Sequence, residues 1–434
     1  ENYPISGMRV HTALVESYVL LKKAAAESLM ELEMLDAERG QAIVQAAGEV
    51  LAGALRDQFV VDAFHSGAGT SLHMNVNEVL AGRANEVLTG RRGGSSPVHP
   101  NDHVNMSQST NDTFPTALRM AARIRVERLV RALRGLEDEL ARKGEEFGGI
   151  VKAGRTHLQD AVPVRLGQEF AAYAVAIRQA RVAIVAAAHW LEELPIGGSA
   201  VGTGLNTHPQ FRFKTIERIA AATGLDFRPA GDLRAGMQSN FGVALMSACL
   251  KVAVLEVSRI ANDLRLLASG PATGISEIDL PAVQPGSSIM PGKVNPSIPE
   301  MTNMVCFQVI GNDAAVSWAS AAGQLELNVM MPVMAHNLLQ SIDILTNALD
   351  VLAARCVAGI TARPERCRRF AESSVALATA LNPRIGYDRA AAIVKEALTS
   401  GRTVVDVARE RSGLSPEELD DLFDVFRMTE PRTT

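Results

Sequence analysis

The sequence predicts an all-α protein built around a bundle of long helices, and three observations support that expectation. Aromatic residues make up only 4% of the 434 residues, so Leu, Ala, Val and Ile must fill the core. Leu250, Val254, Val257, Ala261, Leu264 and Ala268 follow a 4,3,4,3,4 spacing that lays one apolar stripe along a helix until Gly270-Pro271 stops it. Helical patterns recur near 113–146, 163–194, 298–322 and 328–358. Helices of roughly 30 residues run about 45 Å, and such stripes are buried only against one another, as in a long bundle.

The elements divide into three domains. Residues 1–110 predict a mixed, mainly helical domain with glycine-bearing loops at Phe64–Ser71 and Thr89–Pro97, the second an exposed hairpin or linker. Residues 111–366 form the central long-helix bundle, whose many Ala residues allow close approach and whose surplus apolar surface favours subunit association. Residues 367–434 predict a small helical domain, in which Ser415 is an N-cap, Pro416 the first helical residue and Glu418 the third. The chain opens on Glu1-Asn2-Tyr3-Pro4 with no Met and no signal-peptide pattern, as expected of a chain entered partway.

Forty-three basic against 48 acidic residues give a formal charge of −5, with no basic block suited to nucleic acid or to anionic lipid. No uninterrupted apolar stretch reaches a membrane span, since Arg178, Gln179 and Arg181 break the best candidate. Cys249, Cys306, Cys356 and Cys367 lack metal-ligand spacing and are expected to be reduced core thiols of a cytoplasmic protein. A small molecule is the expected partner.

The segment Gly286-Ser287-Ser288-Ile289-Met290-Pro291-Gly292-Lys293-Val294-Asn295-Pro296 is suited to holding an anion, because its N–H groups, hydroxyls and one lysine can converge on a carboxylate. A phosphate loop fails on spacing: five residues separate Gly286 from Gly292, and Val294 follows Lys293 where a Ser or Thr is required. Taken alone, the segment also fits a Gly/Ser-rich surface loop. Three further polar clusters stand where helices begin or loops break. His99–Asp112 precedes a long helix and fits either a carboxylate site or ordinary capping. Gly154–Pro163 contains His157, a residue type that is more often structural than catalytic when it stands alone. Gly198–Thr207 is a tight loop expected to shape a site rather than touch its ligand.

Together these segments resemble the fumarase/aspartase superfamily over essentially the whole chain, through the pattern Gly-Ser-Ser-x-Met-Pro-x-Lys-x-Asn-Pro at 286–296. Glu1–Ile5, Gln108–Asp112, His157–Pro163 and Lys293–Glu300 are similar to aspartate ammonia-lyases; class II fumarases usually carry Ser-Ser-Asn-Asp in the second and Thr-Gln-Asp-Ala-Thr-Pro in the third. The resemblance implies three mostly helical domains, a twenty-helix core in a homotetramer, and active sites drawn from three subunits. It implies a small dicarboxylate substrate and no metal or organic cofactor. It also implies anti elimination from a C2-substituted succinate through an enediolate, most simply aspartate to fumarate and ammonia.

By the same resemblance Ser287 is the general base, while Lys293 and Asn295 hold one carboxylate. Ser109, Thr110 and Asn111 hold the other carboxylate and part of the leaving-group pocket, joined by Thr70, Ser71, Thr156, Ser288 and Met290. His157, oriented by Glu300, binds and polarises the substrate. Three departures bear on the leaving group: His73 stands where Asn is usual, Met331 where ammonia-lyases usually have Glu, and His65-Ser66 where Gln-Gly is usual. Fumarase activity, a lyase releasing nitrous acid from nitrosuccinate, and a non-catalytic structural protein of the same superfamily are the alternatives.

Overall fold

The computed structural model describes residues 2–431. Three helices come first: α1 (Thr12–Glu31), α2 (Ala37–Leu51), whose N-cap Asp36 accepts from the Arg39 N–H, and α3 (Thr70–Thr89). The long helices are α4 (Thr110–Glu146), α5 (Leu166–Ala188), α8 (Phe241–Leu267), α9 (Ser297–Ala321) and α10 (Met331–Arg355), with the shorter α6 (Phe211–Thr223) and α7 (Leu233–Gln238) before α8. Sheet is minor: β1 (Val151–Thr156) and β2 (Gln159–Arg165) form an antiparallel hairpin, and β3 (Glu193–Leu194) pairs in parallel with β4 (Arg228–Pro229). The segment Arg91–Ser96 is exposed and forms a linker, not a hairpin.

The apolar stripe read from sequence is buried. Leu250, Val254, Val257, Ala261 and Leu264 of α8 are each fully inaccessible, whereas Val252 and Leu255 on another face are more than half exposed. Two helix boundaries move from their expected places for local reasons. Helix α5 begins at Leu166 because Pro163 lies in β2, paired with Ala153. Helix α10 begins at Met331 because Asn328 accepts from the Met330 N–H (2.8 Å) while donating to the Ala319 and Ser320 carbonyls at the end of α9.

Contacts divide the described residues into two compact units. The first comprises the chain up to Ala132, Ala180–Leu255 and Met304–Asn347; the second comprises Leu133–Gln179, Glu256–Asn303 and the chain from Ala348. Each of the five long helices contributes residues to both. Within the second unit, Leu381, Ile393, Val407, Ala408 and Leu419 pack a small core of their own. There the expected capping box forms, with Ser415 accepting from the Glu418 N–H and Glu418 from the Ser415 N–H.

Cys306, Cys356 and Cys367 are buried, Cys249 is half-buried and all four are free, with burial pushing the first three thiols up to about 12. One expectation needs amending. Leu166–Leu191 and Phe241–Leu267 are long and apolar enough to cross a membrane by length and composition, because their interrupting charges are too few to lower the mean hydropathy. Those charges are engaged inside the protein: Arg178 donates to Glu137 (2.7 Å) and Lys251 to Asp313 (2.6 Å).

Arg119 is the strongest buried polar tie in the first unit. Its guanidinium donates to the carbonyls of Glu193 (2.7 Å), Gly236 (3.0 Å) and Ser239 (3.1 Å), which joins α4 to β3 and to the end of α7. Burial lowers its pKa to about 10, against the pull of Glu193. Arg119→Met leaves the buried Gly236 carbonyl and the part-buried carbonyls of Glu193 and Ser239 without this donor. A loss of about 1–3 kcal/mol, the cost of one buried unpaired acceptor, is expected in urea unfolding followed by circular dichroism.

Candidate active site

In the first unit the site is built on the N-terminus of α4. Ser109 Oγ accepts from the Asn111 N–H (3.2 Å) and Asp112 Oδ1 from the Ser109 N–H (3.0 Å), a reciprocal cap that fixes Ser109, Thr110 and Asn111. The other Asp112 oxygen accepts from the N–H groups of Gly197 (3.1 Å) and Ser199 (2.8 Å), and Asn111 Nδ2 donates to the Ala200 carbonyl (2.8 Å). The loop expected only to shape the site is therefore fastened directly to it. Burial pushes the Asp112 carboxyl up to about 7, against the pull of the Ser109, Ser199 and Gly197 N–H groups.

Thr70 opens α3 and is exposed. The residue before it must be glycine: Gly69 has φ +84°, and a Cβ there would lie 1.9 Å from the Phe114 ring. The Ser71 hydroxyl lies 3.0 Å from the Ser66 hydroxyl.

In the second unit the β1–β2 hairpin closes at the Thr156–Gln159 pair, so His157 and Leu158 are its two turn residues. Both have positive φ, 56° and 60°, in a turn that normally takes Asn and Gly. The His157 side chain is exposed at the tip.

The 286–296 loop is closed by its own backbone. Ser287 N–H donates to the Lys293 carbonyl (2.9 Å) and Lys293 N–H to that of Met290 (3.2 Å). Ser287 Oγ accepts from two backbone N–H groups, Ile289 (3.2 Å) and Met290 (3.1 Å). Lys293 Nζ donates to Asn295 Oδ1 (2.6 Å), which leaves Asn295 Nδ2 and the remaining ammonium protons for a ligand. Ser288 and the Met290 side chain are exposed. Lys293, Asn295 and Glu300 line an open cavity of about 970 Å³ together with Arg265 and Arg363.

The expected residues thus fall into two sets: Thr70, Ser71, Ser109, Thr110 and Asn111 belong to the first unit, and Thr156, His157, Ser287, Ser288, Met290, Lys293, Asn295 and Glu300 to the second. The expected His157–Glu300 pair is not formed within the chain; Glu300 instead stands 4.0 Å from Arg265. Met331 is fully buried in the first turn of α10. His65 Nδ1 binds the Asp62 carbonyl (2.8 Å).

Sequence reasoning missed Lys22, and it named Asn105 and Gln108 only as members of the His99–Asp112 cluster. Lys22 is inaccessible, and its ammonium meets His73, Asn105 and Gln108. One signal was available: Lys22 is four residues after Tyr18 and seven before Leu29, on the apolar stripe of α1.

This long-helix fold is that of known lyases. The model described as "Lyase" matches residues 2–311 and the one described as "Fumarase C C-terminus" matches residues 377–430. An aspartate ammonia-lyase from Bacillus sp is 46% identical over 99% of this chain and 92% of its own length. A class II fumarate hydratase from Mycobacterium tuberculosis is also 46% identical, over 99% and 90%. A crystal structure of a fumarate lyase:delta crystallin from Brucella melitensis superposes with a TM-score of 0.95 at 46% identity, covering 99% of this chain and 94% of that one. The chain belongs to this lyase family, the fumarase/aspartase superfamily, and is aspartase-like within it.

Gly286 supplies a direct test of the loop. A Cβ there would lie 2.5 Å from the Lys293 carbonyl, at the bond that closes the loop. Gly286→Ala displaces Ser287 by a fraction of an ångström to an ångström. It is expected to lower kcat/KM by about a hundredfold, with little change in the thermal unfolding midpoint because the loop is exposed.

Proposed function

We propose that this protein is a carbon–nitrogen lyase that converts aspartate to fumarate and ammonia by anti elimination. The observation that carries the proposal is the pair of backbone N–H groups on Ser287 Oγ. A serine hydroxyl is a base only as the alkoxide, and donors aimed at the charged form lower the energy of that form. The Ser287 alkoxide takes the C3 proton. The electrons of the broken C–H bond pass into the adjacent carboxylate as an enediolate, then return to form the C2–C3 double bond as the C2–N bond breaks and its electron pair leaves with ammonia. Lys293 and Asn295 offer N–H donors to one carboxylate, while Ser109, Thr110 and the α4 N-terminus offer donors to the other, with Thr70, Ser71, Thr156, Ser288 and Met290 completing the walls. His157 binds and polarises the substrate.

Asn111 supports ammonia as the leaving group. One of its two Nδ2 protons goes to the Ala200 carbonyl, which orients the amide, and its Oδ1 is an acceptor that suits an ammonium. The alternative of water as leaving group is favoured by one observation, the equal identity to a protein named fumarate hydratase.

Large apolar side chains exposed on the long helices, among them Met304 (63% exposed), Phe307 (60%) and Trp318 (80%) of α9, support a homotetramer with sites completed by neighbouring subunits. The division at about 366 is supported by the separate core of residues 378–419. Four free thiols support a cytoplasmic location.

Purified protein incubated with aspartate is expected to release fumarate, followed by its ultraviolet absorbance, faster than from malate or nitrosuccinate; no fumarate from any of the three would sink the proposal. Ser287→Ala should lower kcat by about 10²–10⁴-fold. Ser287→Ala and His157→Asn subunits, unfolded and refolded together, should regain activity that neither has alone. Inactivity of the mixed tetramers would refute shared sites.

A further inference from the structure

His73 is buried in the first unit and hydrogen-bonded on both ring nitrogens. Nε2 lies 2.7 Å from Lys22 Nζ, and Nδ1 lies 2.7 Å from the Thr110 hydroxyl. Its ring is stacked on Tyr18, with centroids 5.7 Å apart and planes inclined by 24°. Which nitrogen holds the proton depends on the charge of Lys22, whose other neighbours are two side-chain amides. The Asn105 amide nitrogen donates to the Gln108 carbonyl (3.3 Å), and that of Gln108 donates to the Val104 (3.2 Å) and Met106 (3.0 Å) carbonyls. Their amide oxygens therefore face Lys22, at 3.0 and 2.9 Å. With His73 Nε2, these oxygens give three acceptors for three ammonium protons. Burial pushes Lys22 well below the ordinary lysine value, with the Asp112 charge opposing, and a neutral amine would meet the same neighbours by donating to the two amide oxygens and accepting from Nε2–H.

We infer that Lys22, through His73, fixes the hydroxyl of Thr110 as an outward hydrogen-bond donor, making His73 a positioning residue for substrate binding. An ammonium at Nε2 leaves the imidazole proton on Nδ1. Nδ1–H donates to Thr110 Oγ1, and the Thr110 proton must then point away from His73. With a neutral amine at Lys22 and the proton on Nε2, Thr110 would donate inward and present only lone pairs, which repel a carboxylate. The inference rests on the assignment of Thr110 to the substrate carboxylate.

Two substitutions separate orientation from mere filling. In His73→Asn the amide nitrogen takes the place of Nδ1 and still donates to Thr110. His73→Gln is closer in size but places its amide near Nε2, which keeps a partner for Lys22 and leaves Thr110 unoriented. His73→Gln is expected to lower kcat/KM for aspartate by about ten- to a hundredfold, the equivalent of one hydrogen bond to a charged group, mainly through KM. His73→Asn should recover most of that loss. In a Thr110→Val background His73→Gln should add no further loss. Neutron diffraction of deuterium-exchanged protein should place deuterium on His73 Nδ1 and three deuterons on Lys22 Nζ. Deuterium on Nε2, an equal loss in His73→Asn and His73→Gln, or additive loss in the double variant would overturn the inference. If Thr110→Val leaves kcat/KM unchanged, the assignment of Thr110 to substrate fails instead. The neutron result requires no folded variant.

Discussion

The carboxylate of Asp112 is completely buried, and taking an ion of that size out of water carries a penalty of several kcal/mol. Three backbone N–H groups, from Ser109, Gly197 and Ser199, offset part of that penalty, aided by the N-terminus of α4 and the charge of Lys22, and burial still pushes the carboxyl up to about 7. Those donors come from two segments far apart in sequence, so one side chain fixes both the first turn of α4 and the loop beyond Leu194. Ser109, Thr110 and Asn111 have no freedom to rotate with the helix terminus once Asp112 is seated. The Asn111 amide is aimed by the same loop, through Ala200.

The 286–296 loop is held by different means. Its closing bonds are internal, and its large apolar side chain Ile289 is 85% exposed, so no core anchors it. Segments with few buried contacts are at the low end of local stability. The two halves of the chemistry are thus matched to their supports. In the proposed mechanism carboxylate recognition by α4 rests on a buried network, whereas the proposed base is on a loop whose own amides create its electrostatic environment. A base that functions as an alkoxide needs donors at the oxygen more than it needs a fixed framework, and Ile289 and Met290 move with Ser287 because they are part of the same turn.

The long helices were legible because an apolar stripe of three or more turns has no other economical explanation, as the buried face of α8 shows. The β1–β2 hairpin was not, since Val162-Pro163-Val164 reads as the approach to a helix until the pairing of Ala153 with Pro163 is seen. Most of the candidate site was legible through Ser, Thr, Asn and Gly at loop and helix starts. Lys22 was hidden for a physical reason. A lysine on a helix is solvated by default, and only the convergence of Asn105, Gln108 and His73 in space makes its burial tolerable. His73 likewise gave no hint of its partners, because the residues at 22 and 110 meet it only after α1, α3 and α4 pack.

Proteins of equal identity to this chain bear names with different leaving groups, so overall similarity does not discriminate between ammonia and water. Discrimination has to come from the polarity of the atoms facing C2. A departing hydroxyl gains from a donor, whereas an ammonium gains from acceptors and is repelled by N–H groups. The first unit presents the two polarities side by side. On the tautomer inferred for His73, Thr110 offers a proton; Asn111, oriented by its bond to the Ala200 carbonyl, offers its oxygen beside one remaining N–H. A donor next to an acceptor matches an amino acid, whose carboxylate and ammonium are adjacent and opposite in charge, better than it matches a hydroxy acid. The residues that set this pattern, Lys22, His73 and the 197–200 loop, need not touch the substrate themselves.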